Sequence, residues 1–375
     1  MKIAIIAPVE ESIPPQKYGG TEWIVYHIAH GLGKRGHEVD LFASGDSKKE
    51  KYYNLIPITP ACLRSIPEFI IDAKMRETAK LLSIAEALPL LKNKKYDIIN
   101  NHASWRLLLF ADLINPKPIT VHHMPLSLQY QQIVFKKHKK LGHIALSNNQ
   151  RKDLPELNYL ATIYNGVDIN YYARPEQPSQ QNNLIFLGRI SENKGGVDAA
   201  IVAHELKKQL TVAAKVDITD EIYFSKFKPL IDNQYVTFLG ELPHDKAINL
   251  LSIAKALIMP ISYEDPCPLV PLESMACGTP VIAYSQGALP EQIIDGKTGF
   301  LVNRSKNDIR GHWIIKKTGI EGLGEAVQKI YSMNESEYKQ MKKNCREHFE
   351  KNFTTEKMVD NYERVFTEYI KHPIL

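Results

Sequence analysis

Cysteine is scarce in this chain: four among 375 residues (Cys62, Cys267, Cys277 and Cys345), with no paired spacing. That leaves no disulfide framework and no zinc-ligand pattern, and it fits a reducing, cytoplasmic setting. Long apolar runs are missing as well. None approaches the roughly 20 residues that a membrane span needs. The opening Met1-Lys2-Ile3-Ala4-Ile5-Ile6-Ala7-Pro8 is too short an apolar run for a secretory leader and lacks a small-residue cleavage site. There are no internal repeats and no low-complexity tracts. The turn between the first strand and the first helix lacks the Gly-x-Gly-x-x-Gly fingerprint, which disfavours a nicotinamide oxidoreductase. No basic stripe interleaved with aromatics appears, so nucleic acid is not an expected partner.

What is present suits a globular protein of two domains. Apolar residues make up 44% of the chain, enough for two well-buried cores at this length. The net charge is +5, from 47 basic and 42 acidic residues. The excess lies in residues 1–168, with its densest run at Lys136-Lys137-His138-Lys139-Lys140. Such a run reads as a solvated lysine-rich face, or as a contact for anionic lipid headgroups or an acidic acceptor.

Short β-branched runs alternate with helical patterns through the first half. Strands are expected at Lys2–Ala7, Val39–Ala43, Asp97–Asn100 and Ile119–His122, and helices at Thr21–Arg35, Ala73–Leu91 and Trp105–Leu113. The rhythm restarts with a strand at Asn183–Leu187, a helix at Val197–Lys208, and strands at Thr211–Lys215 and Val236–Leu239. Between the halves, Tyr171 to Asn183 is polar and contains proline, as a linker does. This βαβ order predicts two parallel, doubly wound α/β domains, 1–170 and 171–354. From about Glu321 the chain reads as charged, amphipathic helix.

The stretch from Glu264 to Ala283 organises the rest. It reads as an acidic loop, a short helix closed by Gly278, and a buried strand, with Asp265 ahead of the helix and Glu273 inside it. The first amides of such a helix, those of Leu269 and Val270, have no intrahelical partner and attract an anion. A carboxylate accepts hydrogen bonds from vicinal hydroxyls, so the pair flanking that anion site suits a ligand that combines phosphates with sugars. Taken alone, it also describes an ordinary acidic turn and surface helix. Gly19 and Gly20, between the first strand and first helix, let backbone approach a ligand closely. In Gly188-Arg189-Ile190-Ser191-Glu192-Asn193-Lys194-Gly195, an Arg fork and a Lys point charge can together neutralise a departing diphosphate. His102 falls just past the carboxyl end of a strand, where open α/β sheets bind ligands. His122 and His123 follow the next strand.

These motifs resemble family-4 (group 1) glycosyltransferases, which are retaining, use nucleotide-sugar donors, and have two Rossmann-like domains facing each other across a cleft (the GT-B fold). Met275-Ala276-Cys277-Gly278-Thr279-Pro280-Val281-Ile282-Ala283 matches the family signature without a gap. So do the Gly-Gly loop, the Gly-Arg…Lys-Gly spacing and Tyr164-Asn165-Gly166-Val167-Asp168, and the resemblance covers nearly the whole chain. It implies that residues 355–375 return to the first domain and that Ser305–Ile320 is an insertion.

The resemblance also implies residue roles. Arg189 and Lys194 would stabilise the diphosphate, and Gly19 and Gly20 would lie against it. Asp265 would meet the donor sugar hydroxyls, Glu273 the ribose, Gly240 and Glu241 the base, and His102 the reaction centre. His122 and His123 would line the acceptor side. No cofactor or metal is implied; the nucleotide-sugar is a co-substrate, with UDP favoured over GDP. The acceptor is a hydroxyl on a glycan, a lipid-linked molecule at the inner membrane face, or a small molecule. Two departures matter. Asp265 stands where the family has Glu, shortening its reach by about 1.5 Å, one C–C bond. Glu264, next to it, is a substitute. Pro268 has no N–H where the family's Gly offers one. These changes keep two other readings open: a degenerate nucleotide-sugar binder without transfer activity, and a nucleotide-sugar epimerase.

Overall fold

The computed structural model describes residues 1–16, 19–172 and 182–372. The chain divides into two compact units, Met1–Gly166 with Thr355–Leu375, and Val167–Thr354.

The first unit is built on a seven-stranded parallel sheet in the order β3-β2-β1-β4-β5-β6-β7. Its strands are β1 (Lys2–Ile6), β2 (Glu38–Ser44), β3 (Asn54–Thr59), β4 (Ile98–Asn101), β5 (Ile119–Val121), β6 (His143–Ala145) and β7 (Tyr159–Thr162). The connecting helices are α1 (Gly20–Lys34), α2 (Pro67–Ile71), α3 (Ala73–Asn93), α4 (Trp105–Leu108) and α5 (Gln129–Lys137). In α1, Ile24, Val25, Ile28, Ala29 and Leu32 are buried, the helical spacing read from the sequence. The helix stops at Gly36, whose φ of +87° is open to glycine and strained for other residues. Asp72 caps α3 by accepting from the Lys74 and Met75 amides at 2.8 and 3.0 Å. The helix expected over Trp105–Leu113 is shorter. It leaves the helical region at Phe110 (φ −113°, ψ 9°), and a 3₁₀ turn covers Ala111–Leu113.

The second unit holds a six-stranded parallel sheet in the order β10-β9-β8-β11-β12-β13. The strands are β8 (Leu184–Arg189), β9 (Leu210–Lys215), β10 (Val236–Phe238), β11 (Ala256–Met259), β12 (Val281–Tyr284) and β13 (Gly299–Val302). The helices are α6 (Gly196–Leu206), α7 (Glu221–Phe227), α8 (His244–Ile253), α9 (Leu269–Ala276), α10 (Leu289–Gln292), α11 (Gly319–Ser332) and α12 (Glu335–Asn352). Phe186, Val212, Ile258, Ile282, Leu323 and Val327 lie at the heart of its core.

The final helix, α13 (Thr355–Lys371), belongs to the first unit. It lies on α1 so closely that a Cβ on Gly31 would come within 2.7 Å of the Val359 side chain. Arg35 reaches Asp360 at 2.5 Å and Glu363 at 2.7 Å, and His37 reaches Glu363 at 2.8 Å. The units divide at Gly166 and Val167, a few residues before the boundary at 170 and 171 read from the sequence. The reason is local. The Val167 amide donates to the Phe353 carbonyl at 3.0 Å, and Arg346 Nη1 donates to the Tyr172 carbonyl at 2.6 Å, so 167–172 is held by the second unit. Most of the expected linker, 173–181, lies outside the described residues.

Each sheet reverses its strand order once: the chain runs outward from β1 through β2 to β3 and then resumes on the other side with β4. In the second unit the reversal falls between β8 and β11. In open α/β sheets the carboxyl end of such a switch point is left uncovered by crossover helices and is where ligands bind. Gly19, Gly20 and His102 follow β1 and β4, and Arg189, Lys194 and Asp265 lie at or past the ends of β8 and β11.

Candidate active site

At the switch point of the second unit, the loops leaving β8 and β11 are knitted together. The Ser262 amide donates to the Asn193 carbonyl at 2.9 Å. Gly195 (φ +77°) passes so close to the other loop that a Cβ would stand 2.3 Å from the Pro260 carbonyl oxygen. This approach delivers Lys194 to the acidic loop. Its ammonium lies 2.8 Å from Asp265 Oδ2, with side chains only 12% and 10% exposed. The Tyr263 hydroxyl donates to the same oxygen at 2.5 Å and stands 3.1 Å from Lys194 Nζ. A buried cation and a buried carboxylate each satisfy the other here, which either alone would not survive cheaply.

The loop carrying Asp265 is braced from behind. Gly287 (φ +54°) presses on it so tightly that a Cβ would lie 2.3 Å from the Asp265 carbonyl oxygen. The Ala288 amide donates to that oxygen at 3.0 Å. Glu264 does not take Asp265's place: one oxygen pairs with Arg310 at 2.6 Å and the other accepts from the Gly287 amide at 3.2 Å. Arg310 comes from the segment 305–320, expected from the resemblance to be an insertion. Arg310 also holds Asp308 at 2.8 Å, and Asp308 accepts from Gln286 at 2.6 Å. Residues 308 and 310 therefore brace the acidic loop and the segment after β12.

The next feature is α9. Pro268 precedes it in an extended conformation (φ −63°, ψ 140°), and no side chain caps its start. With Pro268 and Pro271 lacking N–H groups, Leu269 and Val270 carry the first free helical amides. Gly278 (φ +73°) ends the helix, and Arg346 donates to the Ala276 carbonyl at 2.5 Å. Glu273, one turn in, meets His244 Nε2 at 3.4 Å. His244 in turn lies 3.3 Å from the Tyr172 hydroxyl. Burial works against a charged His244 ring, yet the hydrogen bond and charge of Glu273 outweigh it and raise its pKa above the ordinary value. Arg189, at the end of β8, pairs with Asp220 at 2.9 Å. Gly240 (φ +72°) and Glu241 follow β10, two strands from the switch point.

In the first unit, the Gly19 backbone is extended (φ 176°) and leads into α1 at Gly20. A Cβ on Gly19 would stand 2.7 Å from Pro15 and 3.2 Å from Glu22 Oε2. Lys17 and Tyr18 lie outside the described residues. Glu22 is buried in the first turn of α1. Burial, joined by the charges of Glu11 and Glu10, pushes its carboxyl up to about 7.

His102 follows β4 at the switch point of this sheet, its amide donating to the Ile6 carbonyl at 2.8 Å. Its Nε2 lies 2.6 Å from Asn100 Oδ1 and its Nδ1 lies 2.7 Å from His123 Nε2. An amide oxygen only accepts, so His102 donates through Nε2 and accepts from His123 through Nδ1. Burial lowers the His102 pKa far below its ordinary value and that of His123 to about 4, so both rings are neutral at pH 7. His122, read from the sequence as an acceptor-side residue, faces the other way. It is 3% exposed, stacks on His143 (3.0 Å, Nε2 to Nδ1) and meets the edge of Phe135. Successive residues leaving a strand point to opposite faces, which sends His122 into the core and His123 to His102. His123, Tyr263 and His244 are therefore the residues that sequence reasoning underweighted. Tyr263 and His244 stand near recognisable motifs but belong to none, so spacing alone gave no signal for them.

Family models match both units. The family model described as "Glycosyl transferases group 1" matches residues 170–348, and "Glycosyltransferase Family 4" matches 18–171. The alpha-maltose-1-phosphate synthase of Mycolicibacterium smegmatis is 30% identical over 195 residues, covering 45% of this chain and 50% of that protein. The chain thus spans about half the length of that relative. Among solved structures, sucrose-phosphate synthase from Thermosynechococcus elongatus superposes with a TM-score of 0.74 at 19% identity, over 99% of both chains. Anabaena HepE in complex with UDP-glucose gives a TM-score of 0.69 at 20% identity, over 98% of this chain and 100% of the other. At these identities the structural matches establish the fold, which is GT-B.

Proposed function

The chain belongs to the group 1, family-4 glycosyltransferases, and on that premise we propose that it moves a hexose-type sugar from a nucleoside-diphosphate donor to a hydroxyl acceptor, with retention at the anomeric carbon. The observation that carries the reading is the Lys194–Asp265 contact of 2.8 Å at the β8/β11 switch point, directly ahead of the uncapped start of α9. A cation suited to a departing diphosphate and a carboxylate suited to sugar hydroxyls stand side by side there.

In this reading Lys194 and Arg189 meet the charge that grows on the leaving diphosphate, with help from the Leu269 and Val270 amides. These groups supply the positive charge, so the reaction needs no metal. Asp265 orients the donor sugar and Glu273 the ribose hydroxyls. Gly240 and Glu241 serve the base, Gly19 and Gly20 the diphosphate, and His102 the reacting sugar. Glu264 is assigned to the loop's architecture and not to the ligand. UDP is favoured over GDP, and the HepE complex with UDP-glucose lends support to that choice. A peripheral position at the inner membrane face, with a lipid-linked acceptor, fits the basic first unit. There Tyr130 and Ile133 are 57% and 74% exposed on α5, the helix that ends in Lys136 and Lys137. No helix among the described residues is long and apolar enough to cross a membrane.

A thermal-shift panel with UDP, GDP, ADP and NAD tests the donor assignment. A ligand that binds only the native state raises the midpoint by mass action. The reading expects a shift with UDP above that with GDP and none with NAD. No shift with any nucleoside diphosphate would remove it, and the degenerate binder with it; a shift without turnover would bring the degenerate reading forward.

A further inference from the structure

Tyr263 has no counterpart among the motifs that carry the donor reading, yet its hydroxyl is the closest neighbour Asp265 has. The Asp265 amide donates to the Tyr263 carbonyl at 2.9 Å, a three-residue turn centred on Glu264. Arg310 and the Gly287 amide hold the Glu264 side chain, which keeps that turn in place. The turn brings the phenol to Asp265 Oδ2 at 2.5 Å and to Lys194 Nζ at 3.1 Å, with the ammonium also 5.1 Å from the ring centre. Burial and the neighbouring Asp265 charge raise the Tyr263 pKa, so the phenol keeps its proton and donates it to the carboxylate. Among the described residues Oδ2 takes both side-chain bonds, and none reaches Oδ1.

We propose that Tyr263 is a positioning residue of the donor site, one that holds the Asp265 carboxylate in place when a diphosphate draws Lys194 away. The inference rests on the glycosyltransferase reading and deepens it. An ion pair that is also the binding site faces a conflict: the ammonium cannot serve the carboxylate and a phosphate fully at once. Without a second donor, an Asp one methylene shorter than Glu would swing free when the ammonium turned to the phosphate. The Tyr263 hydroxyl removes that freedom, and Oδ1 stays directed to a hydroxyl of the sugar. This also accounts for a shorter carboxylate at a position where reach matters.

The test compares wild type, Tyr263→Phe, Asp265→Asn and the double variant, reading UDP affinity by calorimetry and, by coupled assay, UDP release from UDP-glucose as water takes the glucosyl group. UDP carries no sugar, so Y263F should bind it within about two-fold of wild type. Turnover of UDP-glucose should fall roughly 10- to 100-fold, the scale for one hydrogen bond to a charged group. In the Asp265→Asn background the same Tyr→Phe change should add little, because the two losses are one loss. Y263F turnover within about two-fold of wild type, additive losses, or UDP affinity falling in parallel with turnover would each overturn the proposal. A wild type that neither binds UDP nor releases it from UDP-glucose counts against the glycosyltransferase reading itself. An active wild type matched by Y263F counts against Tyr263 alone.

Discussion

Glu22 shows how a single residue carries a pH signature in this fold. It lies 5% exposed in the first turn of α1, beside the Gly19 backbone, with its carboxyl pushed up to about 7 from an ordinary 4.5. The folded state therefore holds a proton that the unfolded chain releases near pH 4.5. Stability from this group is present below that pH and is lost as pH rises through 7, by up to about 3 kcal/mol. Glu22→Gln, which cannot ionise, should flatten the fall in thermal midpoint between pH 5 and pH 8, leaving the variant more stable than wild type at pH 8. A variant whose midpoint falls as steeply as wild type would contradict the assignment. At this scale the sequence was legible in local placement: Lys194 and Asp265 lie on loops after strands, and Glu273 lies inside a short helix, as their spacing reads. It failed where a contact joins distant parts of the chain. Tyr263 and Lys194 are 69 positions apart, and His244 and Glu273 are 29 apart. The His122 and His123 pair failed for a different reason: adjacent residues leaving a strand face opposite ways, and only packing says which faces inward.

Among the elements, α9 and β12 were readable because a helix start, a glycine stop and a β-branched run follow one another without interruption. Strands β6 and β7 were not, since three or four residues carry no period that separates strand from loop. The same holds for β11, whose Ala256-Leu257-Ile258-Met259 follows α8 closely enough to read as its continuation. The loop between β12 and α10 was passed over as well, although it braces the acidic loop. Gly287 is its critical point, with a φ of +54° and no room for a Cβ beside Asp265. Gly287→Ala should incur strain on the order of 1–2 kcal/mol and push the Asp265 backbone. The expected outcome is a midpoint lower by several degrees and UDP-glucose turnover reduced at least about 10-fold. Wild-type turnover in G287A would show that the acidic loop needs no such brace.

On the scale of the whole molecule, two parallel sheets recur with one reversal of strand order each, and His102, Arg189, Lys194 and Asp265 lie at the carboxyl ends of these reversals. The alternation of strand and helix predicted this class of fold directly, because parallel strands require crossovers and crossovers leave a period in the sequence. What alternation does not encode is where 167–172 is held, which depends on hydrogen bonds from α12 and its end. The central claim is that the second unit holds a nucleotide-sugar for transfer, with Glu273 on the ribose. UDP release from UDP-glucose, with water taking the glucosyl group, measured in a chelator for wild type and Glu273→Ala, tests it most directly. The account predicts steady release by wild type, at least about 100-fold less by E273A, and an unchanged fold by circular dichroism. Equal release by the two proteins, or release by wild type only when a divalent metal is added, would contradict it.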